Sequence, residues 1–387
     1  MILGIIPGST IDANGTVTVS IAVGVKQDPA GGFTNADLNG KYWLRRLGIH
    51  NFEASDRDEE IVYGYIDFNG AGSWTGYFTV IESDGTSGPT PSNGSYSVNT
   101  DGSFTFTLIT PDPSIATGYI SSDRNFAILS DGYIDDDGTH QGIVTALKIS
   151  DSPLSLADLN GTWRFRDLEL HDVYSDAVTC SGPMVCNNGN WNISVECPCS
   201  DGETDTATVS GTYVLNGNTI DFYETGYTEV LISAYLSKEK NTFIFTRSSL
   251  LENEFFTGIA IKEGAKIYTN ADLSGTYFLH MMNMWGFQTD DRGAEIIHGT
   301  LTSDGAGNWT LTGQNFESDG TSASGTISGT YSVKSDGSYA VTVTSENPNS
   351  TLIGYISGDN NIIAFGSGGK VSDGKAMPWI PLLLLDD

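Results

Sequence analysis

A chain of 387 residues with 48 acidic and 18 basic side chains carries a formal charge of −30. That balance excludes a nucleic-acid backbone or an anionic membrane surface as the natural partner, because either would repel it. Abundant Gly and small polar residues, with few Lys, suit a secreted or cell-surface β protein, bacterial in character and soluble in a salty medium.

At the start of the chain, Met1-Ile2-Leu3-Gly4-Ile5-Ile6-Pro7 lacks the basic leader and long apolar core of a signal peptide. Residues 1–26 read as a β-hairpin: Asp12-Ala13-Asn14-Gly15 makes the turn and 17–26 a strand ending in Lys26. Residues 142–148 and 258–262 have the same character and end in Lys148 and Lys262. The leading segment therefore reads as the last two strands of a repeat with nothing before them.

Three repeats follow, over 33–150, 154–264 and 268–387. Each opens on the same motif: Asp37-Leu38-Asn39-Gly40, Asp158-Leu159-Asn160-Gly161 and Asp272-Leu273-Ser274-Gly275. Trp74, Trp191 and Trp309 each follow a Gly-rich turn. Gly94-Ser95-Tyr96, Gly211-Thr212-Tyr213 and Gly329-Thr330-Tyr331 come next, then Tyr119, Tyr235 and Tyr355, each followed by an aliphatic residue and Ser. Between these landmarks polar and apolar residues alternate, as in 103–108 and 339–343, which is the period of a half-buried strand. Asn99-Thr100-Asp101-Gly102 is a hairpin turn, where Gly accepts positive φ. No window carries an apolar stripe of helical period. The fold class expected is all-β: three tandem up-and-down β-barrel repeats, each of about eight strands.

The head of each first strand is Gly-x-aromatic: Gly40-Lys41-Tyr42, Gly161-Thr162-Trp163, Gly275-Thr276-Tyr277. This resembles the G-x-W opening of the calycin barrels, the lipocalin and avidin group. The resemblance implies an eight-stranded meander barrel plugged at one end by the aromatic ring. Lys148 and Lys262 loosely match the basic residue that those families place near the last strand. A fold-level likeness of this kind carries no function with it.

All four cysteines lie in the second repeat, at Cys180, Cys186, Cys197 and Cys199. Cys180 and Cys197 stand roughly opposite each other about the Asn188-Gly189 turn, so a cross-strand disulfide is reasonable. Four cysteines allow three pairings, which spacing leaves open. A zinc site is the rival, but no Cys-x-x-Cys pair or nearby His supports it. Disulfides imply an oxidising compartment.

Candidate chemistry is sparse. His50 and His171 occupy one repeat position, which Trp285 takes in the third copy. Arg45, Arg166 and His280 share another. Near a barrel mouth, Arg45, His50, Arg166, His171 and Trp285 could hold an anionic ligand; the bland reading makes them strand-end side chains that balance an acidic surface. The acidic turns at 135–138, 56–60 and Asp304-Gly305 lack the spacing of a calcium loop, so no cofactor is expected and only weak Ca2+ binding stays open. Trp74, Trp191 and Trp309 could stack on sugars but more often pack inside a barrel. No nucleophile elbow, phosphate loop or HExxH motif is present. Clustered carboxylates are left as the one route to catalysis, and none is legible.

The ends do not match. The third repeat finishes in Pro378-Trp379-Ile380-Pro381 and a leucine run, an atypical last strand that is well short of the roughly 20 residues of a spanning helix. The leading hairpin is either a remnant of a longer array or the strand that completes the third barrel, in its own chain or in a neighbour. The expected role is a non-catalytic extracellular or cell-surface structural protein, with self-association as the expected partnership. A small-ligand or glycan-binding module is the alternative. A roomy interior with converging polar groups would favour binding; a filled one would favour structure.

Overall fold

The computed structural model describes residues 18–50, 58–82, 85–110, 114–135, 138–171, 176–198, 204–249, 254–285, 293–344 and 350–366. These are strands and three short 3-10 turns, with no α-helix among the described residues. After β1 (Thr18–Lys26), the first barrel takes β2 (Asn39–His50), β3 (Asp58–Asn69), β4 (Ser73–Glu82), β5 (Gly85–Val98), β6 (Ser103–Thr110), β7 (Ser114–Ile120), β8 (Phe126–Asp135) and β9 (Gly138–Lys148). The second takes β10 (Gly161–His171), β11 (Asp176–Val178), β12 (Ser181–Asn187), β13 (Asn190–Pro198), β14 (Thr204–Asn216), β15 (Thr219–Glu224), β16 (Ile232–Leu236), β17 (Thr242–Ser249) and β18 (Glu254–Lys262). The third takes β19 (Gly275–Trp285), β20 (Gly293–Ser303), β21 (Asn308–Glu317), β22 (Ser322–Val333), β23 (Ser338–Val343), β24 (Ser350–Ile356) and β25 (Ile362–Gly366).

All three are closed antiparallel meanders, so no barrel keeps two free sheet edges. In the first, β2 pairs with both β3 and β9. In the second, β10 pairs with β18 on one side. On the other it meets β12 and then the short β11, which together form one interrupted stave. Among the described residues the third repeat supplies seven strands of its own, and β1 fills the gap, zipped to β19 from Thr18↔Trp285 to Lys26↔Tyr277 and to β25 from Ile21↔Gly366 to Val25↔Ile362. Of the leading hairpin, its first strand and turn lie outside the described residues, as does the tail at 367–387.

The repeated landmarks are the parts of one plug. The Asp of each opening motif caps its 3-10 turn by accepting the backbone N–H three residues earlier: Thr34 to Asp37 at 2.8 Å, Ser155 to Asp158 at 2.7 Å, Thr269 to Asp272 at 2.8 Å. Gly40, Gly161 and Gly275 then turn into the first strand at φ of 88°, 128° and 124°, where a side chain would be strained. Tyr42, Trp163 and Tyr277 are fully buried behind them. A lysine ammonium lies over each ring: Lys148 over Tyr42 at 5.6 Å, Lys262 over Trp163 at 5.2 Å, Lys26 over Tyr277 at 5.7 Å. The third lysine comes from β1, so the borrowed strand carries the matching residue as well as the matching register.

The tryptophans are core. Trp74, Trp191 and Trp309 point inward, and each indole N–H donates to a backbone carbonyl, of Thr107 at 3.2 Å, Thr212 at 3.1 Å and Thr330 at 3.1 Å. They offer no sugar platform at the surface.

The outer walls of the barrels are also buried, against one another. One apolar cluster unites Val19, Ile21, Met282 and Ile296 of the third barrel with Leu47, Ile49 and Ile143 of the first and Leu168, Leu170 and Phe255 of the second. A second unites Val23, Val25 and Phe278 with Phe126, Ile128 and Leu147 and with Ile244, Ile259 and Ile261. The contacts run head to tail around a ring. Trp43 of the first barrel stacks on Tyr235 of the second at 4.2 Å. Arg164 of the second lies 5.9 Å from the Tyr355 ring of the third, and Phe278 of the third stacks on Tyr119 of the first at 4.1 Å. These are equivalent positions in each repeat, so one heterologous contact, repeated, closes the ring.

Candidate functional site inside the second barrel

Side-chain alternation separates the residues that the sequence analysis grouped. Arg45 and His50 are an odd number of positions apart on β2 and so project to opposite faces. His50 faces the interior, where its Nε2 lies 3.0 Å from Glu60 and its ring packs on His140 at 4.3 Å. Arg46, also inward, pairs with Glu60 and, at 3.0 Å, with Asp131. Arg45 points outward into the seam with the second barrel, 2 % exposed, its guanidinium 4.3 Å from the Tyr235 ring and 4.8 Å from that of Tyr63. Arg166 is fully buried in the next seam, within 3.4 Å of Thr179. His280 completes the set in the third, its Nδ1 2.6 Å from Ser130 of the first barrel. Burial lowers the pKa of Arg45 and Arg166 and drops that of His280 well below the usual histidine value. The Arg45, Arg166 and His280 positions are therefore seam residues, not a barrel-mouth ligand set. The side chains of His171 and Trp285 lie outside the described residues.

The interiors differ at the end opposite the plug. In the first barrel the Arg46–Glu60–Asp131 cluster occupies that level. In the third, Asn283 donates to Glu295 at 2.8 Å, and Asn315 donates to Glu295 at 3.1 Å and to Glu317 at 2.9 Å. A cavity of about 10 Å³ lies nearer the third barrel's plug, too small to matter. In the second barrel the equivalent positions on β10 are Asp167 and Glu169, and here a cavity of about 150 Å³ opens. Its wall is aromatic and aliphatic: Phe165, Met184, Trp191, Ile193, Phe222, Phe243, Phe245 and Phe256 among others. Its polar groups are Asp167, Glu169 and Arg247.

The cavity sits beside the break between β11 and β12. There the chain leaves the ladder at Thr179-Cys180, and the Cys180 N–H donates instead to the Asp167 carboxylate at 2.6 Å. Cys180 is bonded to Cys197 across the β12–β13 hairpin, and the Cys180 side of that disulfide lines the cavity. Cys186 is a buried free thiol pushed up to about 12 by burial, hence unreactive. Cys199 lies outside the described residues. Burial first, then the charge of Glu169, raises the Asp167 carboxyl well above the usual range, against the lowering effect of the Cys180 N–H and Arg166.

The acidic turns divide. The side chains of 135–138 lie outside the described residues, as do Asp56 and Arg57, and Glu60 is taken up by Arg46 and His50 inside the first barrel. Asp304 spends its carboxylate on its own turn, accepting from Ala306 N–H at 2.7 Å and Asn308 N–H at 2.9 Å. Among the described residues no group of three His, Cys, Asp or Glu side chains is arranged to hold a metal ion, and no helix is long and apolar enough to cross a membrane. Sequence reasoning missed the cavity. Its only trace was the unequal filling of one repeat position: Arg46, Asp167 and Met281.

The three closed eight-stranded meander barrels fit a calycin-like fold. No protein-family model matches the chain, and no curated protein is similar to it. Among solved structures it is similar to a DUF3598-family protein of unknown function from Nostoc punctiforme. There the identity is 11 %, the alignment covers 76 % of this chain and 95 % of that one, and the TM-score is 0.18. It is also similar to transferrin binding protein B, a vaccine antigen of Haemophilus parasuis. That match has 10 % identity, covers 94 % of this chain and 78 % of that one, and has a TM-score of 0.20. Scores this low add nothing to what the barrels themselves display.

Proposed function

We propose that the chain is a non-catalytic structural protein of an extracytoplasmic setting, a rigid three-barrel body held shut by strand complementation. The observation that carries this is β1: the first described strand closes the last barrel, so that barrel is complete only when β1 meets β19 and β25. The apolar clusters inside the first and third barrels and the buried outer walls support the structural role. The disulfide supports an oxidising compartment. The same ladder can form between copies, with β1 of one molecule seated between β19 and β25 of the next, which is the route we assign to self-assembly. Deleting residues 1–26 tests it. We expect lost stability and concentration-dependent association through the bared edges of β19 and β25. A variant with wild-type melting and elution on size exclusion would sink the reading.

A second reading is favoured by one observation, the cavity of the second barrel. Apolar walls with a few converging polar groups are the usual make-up of a small-molecule compartment. On this reading the first and third barrels are scaffold and the second holds a ligand.

A further inference from the structure

The cavity also limits what it can take, provided the second barrel is the binding compartment just described. An apolar space of about 150 Å³ accepts a guest of roughly benzene size. The ring of such a guest would lie among Phe165, Trp191, Phe243 and Phe245. Charge excludes two classes. Glu169 on the wall disfavours an anion, and Arg247, with Arg166 directly behind Asp167 on β10, disfavours a cation. What is left is a neutral molecule.

Asp167 decides the rest. One carboxyl oxygen is engaged by the Cys180 N–H. Asp167 also lines the cavity, beside Glu169 and Arg247, and we take the oxygen not engaged by Cys180 as the group offered to a guest. Burial favours its protonated form, and a protonated oxygen there is an O–H donor, as in buried acids that stay neutral to donate a hydrogen bond. A purely apolar guest would leave the donor unsatisfied. We propose that the second barrel binds a small neutral aromatic molecule bearing one hydrogen-bond acceptor, with its ring among the cavity phenylalanines and its acceptor on the Asp167 carboxyl.

The test uses the full chain at neutral pH and four probes of similar size: toluene, acetophenone, benzylamine and benzoate, with binding read by calorimetry and ligand-observed NMR. Acetophenone is expected to bind about tenfold more tightly than toluene, the worth of one neutral hydrogen bond, and more tightly than either charged probe. Asp167→Asn keeps a donor and should keep the preference; Asp167→Leu should reduce it to none while toluene still binds. Ile193→Trp fills the cavity and should abolish binding of both. If toluene and acetophenone both fail to bind the wild type, the compartment reading itself fails. If toluene binds as well as acetophenone, if Asp167→Asn removes the preference, or if benzylamine or benzoate binds best, the compartment stands and the assignment of Asp167 is overturned.

Discussion

Ile21 sits on β1, which by sequence precedes the first repeat and by structure belongs to the third. It is 2 % exposed and packs outward into the cluster shared by all three barrels, with Leu47, Leu168 and Met282. Ile21→Ala removes three carbon groups from that cluster, about 2.4 kcal/mol at roughly 0.8 kcal/mol each. Neighbours drawn from three rigid sheets cannot collapse into the space, so the cavity adds to this and the expected loss is about 3–4 kcal/mol. Urea unfolding measures it, with Ile115→Ala as the control, since Ile115 is 62 % exposed and should change by less than about 0.5 kcal/mol. Native-state hydrogen exchange then locates the loss. Amides of β2 around Leu47 and of β10 around Leu168 should lose protection together with β19, although Ile21 lies in neither repeat. A loss no larger than the control's, or faster exchange confined to the third barrel, would refute the shared-core account.

Other outcomes follow from the same geometry. Removing the Cys180–Cys197 bond, which spans a sequence separation of 17, should cost about 3 kcal/mol of stability; a thermal scan of Cys180→Ser/Cys197→Ser against the wild type checks it. His280 is neutral in its seam because burial, then His298, lowers its pKa. Unfolding lets it protonate, so its contribution is whole above the unfolded value of about 6.5 and wanes as the pH falls below that. His280→Gln should flatten the stability curve between about pH 6.5 and 5. Asp272 behaves as an acid with a depressed value: burial alone would raise it, but hydrogen bonds from Lys266, the Thr269 N–H and Asn360 outweigh that and hold it at about 2. Its stabilisation is complete above the unfolded value of about 3.9 and is lost as pH falls toward 2, a slope that Asp272→Asn should remove from an acid titration followed by tryptophan fluorescence. A double-mutant cycle on Trp43→Ala and Tyr235→Ala should give a coupling of about 1 kcal/mol, from a stacked pair 4.2 Å apart between barrels.

Much of the plug was legible in the residues. Asp-Leu-x-Gly, Gly-x-aromatic and the later Tyr recur because each is tied to a local requirement: a cap, a positive φ, a ring buried beside its own turn. Tyr96, for example, donates back to the Leu38 carbonyl at 2.8 Å. The seams were not legible. Arg45, Arg166 and His280 align perfectly in the repeat, yet nothing in their spacing says that each faces another barrel. Alternation alone would have parted Arg45 from His50. It could not have named Tyr235 as the partner of Arg45.

The sequence by itself determined that there are three meanders, which side chains plug them, and that two cysteines can meet across one hairpin. Those properties rest on short-range geometry: alternation at period two, turns at Gly, caps within three residues. Only the tertiary structure decided which strand closes the last barrel, which walls meet in the ring, and which interior stays hollow. Each of those depends on surfaces brought together from residues far apart in sequence, where shape and burial, not spacing, choose the neighbour.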